Sequence, residues 1–259
     1  MTPLTAGNTR VKEARKLSRR SVRTERRLFL ADGPKAVEGA LEAPDRVVEV
    51  FATPAGAEQY AGLLAAVDVT LVDERALASL SEAVSPAGVV AVCRMFDQAF
   101  DDLADANGPI VICDEIRDPG NAGTILRTAD AAGAHGVIFT SDSVDPYNPK
   151  AVRASVGSLF HVPFAVDPDP AATVRGLQEA GWVVLAADGG GELDLFTADD
   201  VLRQRVAWLF GNEARGLPDE LLELADHRVR IPIYGRAESL NLATAAALCL
   251  YASAKVHRK

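Results

Sequence analysis

The chain has 259 residues, 48% of them hydrophobic and 24% charged, with a net charge of −9. This composition suits one large or two smaller folded domains, and no apolar run reaches the roughly 18 residues that a membrane helix needs. Three cysteines (Cys93, Cys113, Cys249) lie far apart in apolar segments and the four histidines show no metal-ligand spacing, so reduced core thiols and no metal are expected.

In chain order, the first feature is a charge asymmetry. From Arg10 to Arg27 there are nine Lys and Arg side chains against Glu13 and Glu25, a local +7 that leaves −16 for the rest. Read alone this is a solvated surface helix. On an acidic body it is also a device for holding phosphates without general stickiness, and Arg10, Arg15, Arg19, Arg20 and Arg23 are candidate phosphate contacts. The segment 10–30 is polar and helix-permissive. It lacks the apolar core of a secretory leader, so the expected location is the cytoplasm.

Strands are predicted at 46–53, 68–73 and 87–95, with helices at 55–67 and 74–83, a small α/β layer. The acidic stretch 96–109, closed by Gly108-Pro109, reads as a linker or linker helix. The expected domains are therefore 1–95, a linker at 96–108, and 109–259. The second half repeats the alternation, with strands at 110–114, 136–140, 182–187, 206–210 and 228–233. Helices are expected at 122–132, 148–157, 170–180, 218–224 and 239–255. Wholly apolar strands such as "VVLAA" and "VAWLF" suit a parallel sheet covered on both faces.

Three segments carry candidate chemistry. In "NAGTILRTADAAG" a helix beginning after Asn121 puts Ala122, Ile125, Leu126 and Ala129 on one face. At about 100° per residue Arg127 points the other way, beside Gly123 and Asp130. Asn121 stands where an N-cap belongs, and on its own Arg127 could simply pair with Asp130. In "VAWLFGNEARGLPDELL" a buried strand runs into Gly211-Asn212-Glu213, where a ligand could lie against the backbone beyond the strand's carboxyl end. In "VRIPIYGRAESLNLATAAA", Pro232 marks an edge or irregular strand. Ser239 is a plausible helix cap, and Asn241 in the first turn needs a partner for its amide. There is no phosphate-binding P-loop, no G-x-G-x-x-G dinucleotide fingerprint and no G-x-S-x-G elbow. Gly189-Gly190-Gly191 reads as a surface turn.

Together and in this order, these segments resemble the three signature motifs of the SpoU (TrmH) family of RNA 2′-O-ribose methyltransferases, in the SPOUT superfamily. The resemblance covers about 110–254 and includes "NPKAVRASVGSLFHVP" (148–163). "RRLFLADGPKAVEGAL" (26–41), less sharply, resembles the family's ribosomal-protein-like substrate-binding domain. The resemblance implies an α/β fold: a SPOUT-type parallel sheet with a C-terminal trefoil knot behind a small α/β substrate-binding domain. It implies S-adenosylmethionine as cofactor and a homodimer whose active sites are each completed by the partner chain. It maps the cofactor loops onto Leu209-Phe210-Gly211, Ile231-Pro232-Ile233 and Ser239-Leu240. It maps the catalytic arginine onto Arg127, with Asn121, Glu213, Ser239 and Asn241 as polar companions. Arg127 would clamp a phosphate and stabilise an alkoxide, since a guanidinium keeps its proton. Glu213 could accept the proton or hold the arginine. Arg153 could add a phosphate contact. The expected substrate is large-subunit ribosomal RNA. Its alternatives are tRNA, a base rather than a ribose, or a non-enzymatic RNA-binding protein of the same fold.

Overall fold

The computed structural model describes residues 2–105, 108–140, 142–167 and 169–257. They fold as two compact units. The first comprises 1–96 together with 145–161, and the second 97–144 together with 162–259.

The first unit is built on a four-stranded sheet of β1 (Leu28–Asp32), β2 (Val47–Ala52), β3 (Val69–Leu71) and β4 (Val89–Arg94), in the order β1-β4-β2-β3. β4 runs antiparallel to both neighbours, and β2 and β3 are parallel. The basic segment forms helices Thr9–Arg15 and Arg20–Arg26 joined by a turn of 3₁₀ helix. Val11 and Leu17 of this segment are buried against Leu30, Phe51 and Val90, so an apolar stripe seats the cationic helices on the sheet.

The segment 145–161 departs from its expected place in the C-terminal domain. Its helix Pro149–Ser155 belongs to the first unit. Packing explains this. Tyr147 and Phe160 stack into a cluster with Phe29 and Phe96, with ring centroids 4.6–6.1 Å apart. A Cβ at Gly39 would come within 3.0 Å of the Gly157 carbonyl oxygen, so the two chains meet backbone to backbone.

The second unit holds a seven-stranded, all-parallel sheet. Its strands are β5 (Ile110–Asp114), β6 (Gly136–Thr140), β7 (Phe164–Asp167), β8 (Val183–Ala187), β9 (Leu193–Asp194), β10 (Val206–Phe210) and β11 (His227–Arg230). The order is β7-β6-β5-β10-β8-β11-β9. Both faces are covered, as the apolar strands require. Ile110, Ile112, Ala207 and Leu209 pack on one side with Val174, Leu177 and Leu221 of the helices Pro170–Glu179 and Asp219–Leu224. On the other side the helix Leu242–His257 packs along β10 and along the helix Pro119–Ala132. There the buried Trp208 indole donates to Ser253 Oγ at 2.9 Å. The expected linker instead contributes the helix Phe100–Ala104, whose Leu103 is fully buried in this core.

Pro232 lies outside any strand, because β11 stops at Arg230. β11 is also an interior strand, between β8 and β9, rather than an edge. A residue with no N–H cannot extend the ladder, so the chain leaves the sheet before it. Gly189 and Gly190 do form a turn, and a Cβ at Gly191 would sit 2.7 Å from the Arg228 main chain.

Gly211 has a structural task. A Cβ there would lie 2.4 Å from the Gly216 carbonyl carbon and 2.6 Å from the Leu217 nitrogen. Gly211→Ala is expected to destabilise the protein by about 1–3 kcal/mol through overpacking against main chain that cannot swing aside. Urea denaturation checks this, and an unchanged midpoint would contradict the reading.

Candidate active site at the carboxyl ends of β5 and β10

The helix that carries Arg127 starts earlier than its motif suggests. Pro119 is its first residue and Asp118 its N-cap, with Asp118 Oδ1 accepting from the Asn121 N–H at 2.9 Å. Proline in the first turn needs no hydrogen bond, and aspartate before it is a strong capping residue, so Asp118-Pro119 is the start signal of this helix. Asn121 is therefore not the cap, and its side chain is free for other work. Gly133 ends the helix in a left-handed conformation with φ 72°.

Along this helix Ala122, Gly123, Ile125, Leu126 and Ala129 are buried. Gly123 thus belongs to the packed face rather than flanking Arg127. Arg127 is exposed, as its helical phase predicts. It has no hydrogen bond or ion pair among the described residues, and the pairing with Asp130 is not formed. An unpaired guanidinium on a rigid helix is free to take an external anion.

Glu213 is the hub of the site. It sits in the loop after β10, and its two carboxylate oxygens accept from the Arg117 N–H at 3.2 Å, the Asp118 N–H at 3.1 Å and Asn121 Nδ2 at 3.1 Å. Asn121 Oδ1 in turn accepts from Asn241 Nδ2 at 3.0 Å, and Asn241 Oδ1 accepts from the Thr244 N–H at 3.2 Å. Asn241 therefore caps the helix Leu242–His257, a task expected of Ser239. The amide partner that its position demands is Asn121. One chain of hydrogen bonds joins three loops brought from residues 117–121, 213 and 241.

Partial burial acts to raise the pKa of Glu213. The hydrogen bonds from Asn121 and from the Asp118 and Arg117 N–H groups outweigh it, and the net direction is down. An ionised carboxylate already accepting three N–H groups is a weak base. Nor does it hold Arg127, since no contact joins them.

The other expected site residues divide into three groups. Leu209 and Phe210 are buried in the core, so only their main chain can face a ligand, and the space beside Gly211 is filled by residues 216 and 217. Ile231 is half-buried, while Ile233 and Leu240 expose 40% and 38% of their surface on the loop leading to Asn241. Ser239 on the same loop is exposed, with no hydrogen bond among the described residues. Aliphatic side chains left open on such a loop suit a flat apolar ligand.

The cationic candidates lie in the first unit, and three of them are already committed. Arg23 is 2% exposed; it donates to Asp145 at 2.5 and 2.9 Å and to the Leu17 and Ser18 carbonyls at 2.9 and 2.8 Å. It is a buried structural ion pair rather than an RNA contact. Arg153 is bound to the buried Asp32 at 3.1 Å, and Arg10 to Glu49 and Thr70. Lys12, Arg15, Arg19 and Arg20 are exposed and unpaired among the described residues. Lys12, Arg15 and Arg19 line a depression of about 500 Å³. Among the described residues no helix is long and apolar enough to cross a membrane, and no cluster of His, Cys, Asp or Glu could hold a metal.

The stabilisation that ionised Glu213 brings is present above its unfolded pKa and is lost as pH falls through its lower folded value. The pH–rate profile should carry no Glu213 limb between about pH 6 and 9. Glu213→Gln, which turns an amide toward N–H groups, should lower the plateau without changing its shape. A limb present in the native protein and absent in the variant would make Glu213 the base after all.

Comparison with known proteins accords with this geometry. Residues 108–251 match the SpoU rRNA Methylase family and residues 8–91 the MRM3-like substrate binding domain. The chain is 34% identical over 248 residues to the Bacillus subtilis 23S rRNA (guanosine(2553)-2′-O)-methyltransferase RlmP, covering 95% of this chain and 96% of that one. It superposes on the AdoMet-bound rRNA methyltransferase from Sinorhizobium meliloti with a TM-score of 0.83 at 34% identity, covering 96% of this chain and 95% of that one. On the SpoU methyltransferase AviRb from Streptomyces viridochromogenes, in complex with AdoMet, the TM-score is 0.84 at 32% identity, with 97% and 99% covered. With Arg127 presented outward, Asn121, Glu213 and Asn241 joined in one network, and this match across more than half its length, the chain belongs to the SpoU rRNA methylase family.

Proposed function

We propose that the protein transfers a methyl group from S-adenosylmethionine to a ribose 2′-hydroxyl of large-subunit ribosomal RNA. The observation that carries this is the unpaired Arg127 on a helix whose N-terminus is fixed by the Glu213–Asn121–Asn241 network. The similarity to ribosomal RNA 2′-O-methyltransferases over nearly the whole chain supports both the donor and the substrate. A separate substrate-binding domain favours ribosomal RNA over tRNA.

The cofactor, when bound, supplies a sulfonium methyl as electrophile. Main chain at 209–211, 231–233 and 239–240, with the exposed aliphatics Ile233 and Leu240, would hold it, and their apolar character fits an adenosyl group. A 2′-hydroxyl is a poor nucleophile until its proton is taken or shared. Arg127 keeps its own proton and so acts by clamping the adjacent phosphate and stabilising the developing alkoxide. Asn121 and Asn241 fix the helix that carries it. Glu213 positions them and is poorly suited to accept the proton, which passes to solvent water as the methyl moves to the 2′-oxygen and S-adenosylhomocysteine leaves.

The same reading extends to a homodimer and to a C-terminal trefoil knot. Leu248 and Tyr251, exposed on the outer face of the helix Leu242–His257, support the first. Membership of the SpoU family supports the second. The expected place of action is the cytoplasm, where its substrate is found. Lys12, Arg15, Arg19 and Arg20 are the proposed phosphate contacts. RNA binding through such groups is salt-dependent.

Ribose-methylation mapping across ribosomal RNA, from cells with and without the protein, tests the activity; identical maps would refute it. Arg127→Ala should abolish transfer and leave S-adenosylmethionine binding intact by calorimetry. Lost cofactor affinity would mean that the arginine serves the donor instead. Arg15→Gln and Arg19→Gln should each reduce the slope of log affinity for RNA against log salt by roughly 0.7–0.9. Unchanged slopes would move the RNA path elsewhere.

A further inference from the structure

The two loops of the active site are clasped twice, in opposite directions. Glu213, on the loop after β10, reaches over to the N–H groups of Arg117 and Asp118. Glu115, on the loop after β5, reaches back to form an ion pair with Arg215. The second contact is reinforced by Asn212, whose Nδ2 donates to the Glu115 carbonyl at 2.9 Å. Asn212 Oδ1 accepts from the N–H groups of Ala214 and Arg215 at 3.0 and 3.2 Å. The Arg117 guanidinium lies 3.7 Å from the Glu115 carboxylate and donates to the Asp142 carbonyl at 2.9 Å, which ties in the loop after β6.

Two facts set this outer clasp apart from ordinary surface pairing. Glu115 sits at φ 49°, a left-handed conformation that side-chain-bearing residues rarely adopt. Yet the Arg215 side chain is 69% exposed, and exposed ion pairs add little stability. A costly backbone conformation held by a weakly stabilising pair points to geometry as its purpose. The left-handed turn at Glu115 sends the chain out of β5 and directly into 117–121, the segment that Glu213 grips and from which the Arg127 helix begins.

We propose that Glu115, Arg215 and Asn212 are positioning residues for methyl transfer. Their clasp holds the loop after β10 so that Glu213 meets Asp118 and Asn121, which sets where Arg127 stands. None touches the reacting atoms. The inference rests on the methyltransferase reading above. Were the native protein inactive on RNA, that reading would fail; an active native protein with indifferent variants sinks this inference alone.

The test is a double-mutant cycle on the full-length protein with Glu115→Gln, Arg215→Gln and the pair combined. It is read as kcat and as the KM for each substrate with the other saturating, with cofactor affinity measured separately. Each single change should lower kcat roughly tenfold, since small misplacements of reacting groups are costly. KM for the cofactor and its affinity should stay within about twofold. The combined variant should lose no more than either single one, because two halves of one clasp fail together. Glu115→Gly, which removes the carboxylate where glycine is at ease, guards against misfolding and should show the same kcat loss. Additive losses in the combined variant would overturn the proposal. So would native kcat in the single variants, or a rise in the KM for RNA alone with Arg215→Gln, which would make Arg215 an RNA contact.

Discussion

The carboxylate of Glu213 is the interaction on which the site depends. It satisfies two main-chain N–H groups at the start of one helix and, through Asn121, reaches the cap of another. Groups at helix termini lack intrahelical partners, and here the active site itself supplies them. Holding the helix ends and placing the proposed catalytic groups are therefore one task, and the same contacts that anchor the helices keep Glu213 ionised.

The parallel sheet makes this convergence possible. Strands β5 and β10 are neighbours, and both deliver their following loops to the same edge. The helices Pro119–Ala132 and Leu242–His257 pack closely on one face of the sheet, and Gly123, Ala243 and Ala246 are buried along them. That contact brings Asn241 to Asn121 although 120 positions separate them. Gly211 allows the loop after β10 to fold back on residues 216 and 217, which points Glu213 toward β5 rather than into solvent.

Charge is managed by sorting. A segment of nine cations would bind any polyanion if all were free. Arg23 instead anchors Asp145 inside the fold, while Arg26 and Lys16 share Glu13 at 2.7 and 2.6 Å. Lys12, Arg15 and Arg19 stay free and line one depression of the first unit, while the residues outside 10–27 carry a net charge of −16. Local attraction with general repulsion lets a chain hold a phosphate group at one place without adhering to every polyanion.

The sequence alone determined the alternation of elements, the buried parallel strands and the outward phase of Arg127, because these follow from periodicities of two and 3.6 residues that need no distant partner. Strands 110–114, 136–140 and 206–210 are found where hydrophobic runs place them. It also held the motif residues that a shared family makes recognisable. Only the tertiary structure decided which polar residue does what. Asn121 and Ser239 read as caps, but Asp118 and Asn241 perform that task, since capping depends on where the backbone turns. Arg23 and Arg153 read as free cations, but Asp145 and Asp32 claim them across more than 120 positions. Glu115 and Arg215 carried no signal at all, because an ion pair between two loops exists only once β5 and β10 lie side by side.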